Sequence, residues 1–330
     1  MNPLTKNILS FILRIGVSVA LLLWLFSKIN MKQTLETLKA ANPVILVYAF
    51  LLFVLLNVAI FWRWVVFIRA LGLNARLADI FKFFMFGLFG NLFLPSAVGG
   101  DIIKIIGLCK DSSQKPRVVA SVLLDRLSGF AAVALVAVVS FALGYKYIND
   151  MSMMIAIALV ACGLVCVALV LFNERVYSFF CGVFNSWPKV KNALMSLHYD
   201  VMLMKDKKLE GIKGIAISCF TQSGLAICWF VIAKALGQDV QLIYFLIFTP
   251  LTCVAAAVPS IGGLGVREAG AAYLFAKAGM DSGVSVSISL ILYVFMIIAG
   301  LMGGTYYVLT LYFGWLQRNS LLKQQRASGY

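Results

Sequence analysis

Six long apolar runs divide the chain, near 8–27, 43–62, 118–144, 151–172, 212–235 and 283–312. Each is close to or beyond the roughly 20 apolar residues that carry a helix across a bilayer core, and each predicts a full span. The first run follows a short basic lead containing Lys6. It is too long for a typical signal-peptide core, and no small-residue cleavage site clearly follows it, so it reads as an uncleaved span.

Two further apolar stretches, 83–109 and 242–279, break the pattern. Each is apolar, is interrupted by Pro, Ser and paired Gly, then carries charges, then turns apolar again. The first break reads Pro95-Ser96-Ala97-Val98-Gly99-Gly100-Asp101 and the second Pro259-Ser260-Ile261-Gly262-Gly263. Irregular backbone does not face lipid, because its unsatisfied N–H and C=O groups are too costly there. Each stretch is therefore expected to be a helical hairpin that re-enters on the side it came from, wrapped by protein or lining a wet cavity. A pair of kinked full spans is the alternative. Interrupted segments at corresponding places in two halves point to an inverted-repeat transport architecture. The expected fold is an all-α polytopic membrane protein. It forms one integral membrane domain over 1–330, with pseudo-repeats of about 1–172 and 173–330.

Charge supports this layout. With the N-terminus inside, eighteen Lys and Arg fall on the inner side against six outside. The inner segments are the N-terminus, 63–82, 110–117, 173–213 and the C-terminal tail. That bias is the positive-inside rule, and it predicts both termini in the cytoplasm. Residues 189–208 place Val190, Leu194, Leu197, Val201 and Met204 at helical spacing beside lysines. This predicts an amphipathic helix on the cytoplasmic leaflet or a solvated linker helix.

Composition narrows the function classes. Of 330 residues 62% are hydrophobic and 12% charged, with a mean hydropathy of +0.96. Soluble domains carry roughly 25% charged residues. The net charge of +15 sits mostly between apolar runs, which favours anionic headgroups over nucleic acid as the partner. Seven cysteines form no CxxC pair, and His198 is the only histidine, so no thiolate or histidine metal site and no cofactor is expected. No GxSxG, P-loop or HExxH motif is present. Asp101 and Asp125 could serve as paired carboxylates, but without a metal, a histidine partner or a soluble domain an enzyme is not expected.

The charges inside the membrane carry the candidate chemistry. They are Asp101, Lys104, Asp125, Arg126, Arg267 and Glu268. Each costs roughly 2.5–3.5 kcal/mol at a helix centre, so such residues face the bundle interior and pair. Asp101 and Lys104 share a helix face if a helix restarts after Gly100. Asp125-Arg126 and Arg267-Glu268 are adjacent, so one member of each pair can bond within the protein while the other meets a ligand. Backbone N–H groups after Gly99-Gly100 and Gly262-Gly263 form a partial positive end that favours an anion. Arg126, Arg267 and Lys104 nearby would suit a phosphate, which an Arg fork grips at two oxygens. Asp101, Asp125 and Glu268 would be the charge partners. The alternative is a closed salt-bridge network that only locks the helices. Gly300 and Gly304 make a GxxxG spacing for close packing. Asn57, Asn91 and Gln222 either line a path or bond a neighbouring helix.

Three blocks carry a family resemblance. They are Asn91-Leu92-Phe93-Leu94-Pro95 with Gly99-Gly100-Asp101, then Ser121 to Arg126, then Pro259 to Glu268. In this order they resemble the transmembrane region of lysylphosphatidylglycerol synthases, which is shared with stand-alone flippase-like proteins. The resemblance covers about 8–312. It implies lipid translocation between leaflets and a bacterial inner membrane. It does not extend to the soluble aminoacyl-transfer domain, so lysine transfer from tRNA is not implied. The runner-up function is a non-transporting scaffold for a glycosyltransferase or lipid-modifying enzyme, docked through 173–213.

Overall fold

The computed structural model describes residues 31–93, 99–110, 114–147, 151–172, 195, 202, 207–255 and 265–327. The first expected span, most of 173–213 and the turns of both broken stretches lie outside the described residues. So do Arg14, His198, Gly262 and Gly263.

Every regular element among the described residues is helical. The order is α1 (Met31–Lys39), α2 (Pro43–Ala70), α3 (Leu77–Phe93), α4 (Gly99–Lys110), α5 (Lys115–Gly144), α6 (Met151–Phe172), α7 (Lys208–Ala235), α8 (Leu242–Ala255), α9 (Val266–Ala276) and α10 (Ser282–Ala327). A short 3-10 turn, Tyr145–Tyr147, follows α5. Four of these helices are long and apolar enough to cross a membrane: α2, α5, α7 and the Ser282–Thr310 part of α10. The protein is a multi-pass α-helical membrane protein.

The start of α2 shows how local chemistry sets an element. Asn42 Oδ1 accepts from the amides of Val44 at 3.0 Å and Ile45 at 3.4 Å, and Pro43 takes the first helical position. A side-chain cap and an N1 proline satisfy donors that a helix start leaves open. The Asn42 amide donates to the Ala235 carbonyl at 2.8 Å. That bond ties the start of α2 to the end of α7, so the two run antiparallel. On the opposite face Val47, Leu51, Leu55, Val58 and Trp62 are exposed at helical spacing. In a bilayer that face meets lipid.

The apolar core has two centres. One gathers Trp64, Ile68, Ile80, Phe84, Val118 and Val122 between α2, α3 and α5. The other gathers Trp229, Phe245, Phe248, Phe275 and Ile288 between α7, α8, α9 and α10. Helix α7 packs against α2, α5, α8 and α10 and joins the two.

Both broken stretches are pairs of short helices. The 12 residues of α4, 14 of α8 and 11 of α9 extend about 18, 21 and 16 Å. None of the three alone covers a hydrocarbon core of about 30 Å. Helices α3 and α4 approach at backbone distance. A Cβ on Gly100 would stand 2.3 Å from the Gly87 carbonyl oxygen, and one on Gly90 would stand 2.2 Å from Ile103 Cδ1.

Helix α10 comes equally near α3, through Gly303 as well as the expected GxxxG pair. A Cβ on Gly303 would stand 2.2 Å from the Met85 carbonyl oxygen, whereas Gly300 faces the Leu92 side chain and Gly304 the Phe89 ring. Backbone yields less than a side chain. Gly303→Ala is expected to lower stability by about 1–3 kcal/mol, the scale of an overpacked contact. Gly300→Ala should cost less, and thermal unfolding in detergent compares the two.

Candidate functional site

Five charges lie on α2, α4 and α5, in two separate sets of ion pairs. Asp101, on the first turn of α4, accepts from Arg126 Nε through Oδ2, and its Oδ1 lies 3.4 Å from Lys104 Nζ. One turn of helix sets the second contact, as their spacing predicts. Asp125 points elsewhere, as expected for the neighbour of Arg126. Its partner is Arg63 of α2, whose Nε donates to Asp125 Oδ1 at 2.6 Å. Arg63 Nη1 also donates to Ser218 Oγ of α7 at 3.0 Å, and Ser218 bonds Ser128 at 3.1 Å.

Arg63 corrects the sequence reading, which placed it in a cytoplasmic segment. Helix α2 continues through it to Ala70, and Arg63 is 8% exposed. A span can carry this charge because a carboxylate and a hydroxyl meet it inside the bundle. The available signal was its setting: Arg63 lies between Trp62 and Trp64, and the apolar run resumes through Ile68.

The first cluster holds three cations and two carboxylates, Arg63, Lys104 and Arg126 against Asp101 and Asp125, and so carries one net positive charge. Exposure is unequal. The side chains of Asp101 and Asp125 are 4% exposed and those of Arg63 and Lys104 10%, whereas that of Arg126 is 39% exposed.

The second cluster is closed and neutral. Arg267 Nη2 donates to Glu268 Oε1 at 2.8 Å, and its Nε donates to Ser289 Oγ at 2.8 Å. Ser289 Oγ donates on to the same Oε1 at 2.8 Å. The other carboxylate oxygen accepts from the Gly265 amide at 2.7 Å. That bond is half of a capping box, with Glu at the third helical position reaching back to the cap. Gly265 has φ +86°, a conformation that glycine adopts without the steric cost of a Cβ. Adjacent residues were expected to diverge, yet Arg267 folds back onto Glu268.

One amide at each of the helix starts of α4 and α9 is met by the protein itself. The Gly100 amide donates to Asn91 Oδ1 at 2.8 Å, and the Gly265 amide is held by Glu268. Gly99 begins α4 and is buried. Of the other polar residues, Asn57 bonds the Phe53 carbonyl within its own helix, and Gln222 lies 3.7 Å from Cys253 Sγ on α8. Ser218, Thr221 and Gln222 form one buried polar face of α7 that runs from Arg63 toward the α8 side. Sequence reading missed Ser218 and Ser289, because serine is common in spans and only geometry shows which ones meet a charge.

The family model for the transmembrane region of lysylphosphatidylglycerol synthase matches residues 11–304. The chain belongs to this family. The match spans both charge clusters and both broken stretches, and membership places the chain among membrane proteins that handle lipid. Neither a curated protein nor a solved structure gives a match.

Proposed function

We propose that this family member is a translocator that moves an anionic phospholipid or lipid-linked precursor between leaflets, with Arg126 as the contact for the headgroup phosphate. The observation that carries this reading is the net positive cluster on α2, α4 and α5 with Arg126 at its exposed edge. An anion there would compete with Asp101 for the guanidinium, and Lys104 would keep Asp101 paired during the exchange. Arg267 is spoken for by Glu268 and Ser289, so in this reading it holds α9 to α10 instead of touching the headgroup. The reading includes two re-entrant hairpins in an inverted repeat, an inner-membrane location, cytoplasmic termini and no covalent chemistry. Family membership and the paired short helices support it.

The test uses purified protein in liposomes with fluorescent anionic phospholipid and a membrane-impermeant quencher. Wild type is expected to speed label exchange. Arg126→Ala should slow it by roughly tenfold or more, the scale of one lost charge-assisted hydrogen bond. Well-folded wild type that moves no lipid, across several headgroups and with a proton gradient imposed, would favour the scaffold for lipid- or glycan-synthesis enzymes.

A further inference from the structure

Lys104 reaches the first cluster with its ammonium already housed. Its Nζ lies 5.1 Å from the ring centroid of Trp64 and 5.3 Å from that of Phe84, and 3.4 Å from Asp101 Oδ1. Trp64 is 0% exposed, Phe84 3% and Asp101 3%. Two aromatic faces and a carboxylate around one cation are the elements of an ammonium-recognition cage, in which the ring quadrupoles attract the charge more strongly once water is gone.

The walls are held by contacts that do not involve Lys104. Trp64 Nε1 donates to Ser121 Oγ at 3.3 Å, and Ser121 donates to the Val118 carbonyl at 2.7 Å. Phe84 stands edge-on to Phe61 at 5.5 Å between centroids. The second oxygen of Asp101 is taken by Arg126. The cage is thus built from α2, α3 and α4, and it would keep its shape if the lysine were shortened.

We infer that Trp64, Phe84 and Asp101 form an ammonium site that Lys104 fills as a tethered occupant, so that this protein accepts headgroups charged by phosphate alone and turns away those bearing an amine. The selectivity half rests on the headgroup reading of Arg126 above; the cage half stands on geometry alone. A phosphate at Arg126 brings an attached amine toward Asp101, the nearest carboxylate. With Lys104 in place, that amine meets a like charge in a site with little water. With the lysine shortened, it meets two rings and an acid.

The experiment compares full-length wild type, Lys104→Ala and Lys104→Met in detergent. Lys104→Ala empties the cage. Lys104→Met also removes the charge, but it leaves an apolar stem in place beside Gly87, where a Cβ would stand 3.2 Å from Lys104 Cε. Thermal unfolding is titrated with ethylammonium chloride against sodium chloride at equal ionic strength. Lys104→Ala is expected to bind ethylammonium about tenfold more tightly than wild type or Lys104→Met, the scale of a desolvated cation–π contact. In nanodiscs, its preference for phosphatidylglycerol over phosphatidylethanolamine should fall by a similar factor. If the alanine variant does not fold, Lys104→Val, which also ends short of the rings, gives the same test. Equal responses of the alanine and methionine variants, or no response of a folded alanine variant, would overturn the cage. An ethylammonium response confined to Lys104→Ala, with neither lipid bound by wild type, would keep the cage and remove the headgroup reading.

Discussion

Asp125→Ala is expected to lower folding stability by about 3–5 kcal/mol, the cost of leaving a buried charge without its partner. The stranded group is Arg63, 8% exposed in the last third of α2, with Ser218 Oγ as its other bonded partner. A hydroxyl is a poor substitute for a carboxylate, because it offers a dipole where a full charge is needed. The companion variant is Arg63→Met with Asp125→Leu. It removes both charges and fills the space with apolar side chains, and it should recover most of the loss, since a buried pair and a packed apolar pair are close in energy. Thermal unfolding of the purified protein in detergent measures both. A double variant as unstable as the single one would show that the shape of these side chains, and not the pairing of their charges, holds α2 to α5.

Glu268→Ala has an expected effect at least as large. Glu268 is 0% exposed and serves three donors: Arg267, Ser289 and the Gly265 amide. Its removal strands Arg267, again at about 3–5 kcal/mol. It also uncaps α9, which costs about 1 kcal/mol more. Glu268→Gln separates the two contributions. The amide oxygen can still accept from Gly265, so the glutamine variant should be more stable than the alanine variant by about the capping value. Equal stability of the two variants would mean that the cap contributes nothing and the pairing with Arg267 everything. Neither substitution touches Arg126, so in the translocator reading lipid exchange by whatever fraction remains folded should persist.

The spans were legible because hydropathy along a membrane helix is a one-dimensional signal. The runs near 43–62, 118–144, 151–172, 212–235 and 283–312 all became helices. Their ends were less legible, and α2 shows why. A charge in a sequence window marks a span end only if nothing inside the protein neutralises it, and Arg63 is neutralised by a residue 62 positions away. The pairing of Asp101 with Lys104 could be read from spacing within one helix. The links from Arg126 to Asp101 and from Arg63 to Asp125 could not, because they depend on how separate helices pack. The same limit applies to Gly303, which no GxxxG spacing singles out from its neighbour Gly304. Its place opposite the Met85 carbonyl comes from the rotation of α10 against α3.

The backbone contact between α3 and α4 has a mechanical side. Where Gly87 and Gly100 touch, no side chain lies between the two helices to act as a bearing. The pair is therefore a stiff lever, and Asp101 and Lys104 ride on it. Arg126 is mounted on α5, across a seam bridged by its bond to Asp101. The lever is also held from the other side by α10, where Gly303 lies against the Met85 carbonyl. In the translocator reading proposed above, an anion that takes Asp101's place on Arg126 would loosen this tie between the lever and α5.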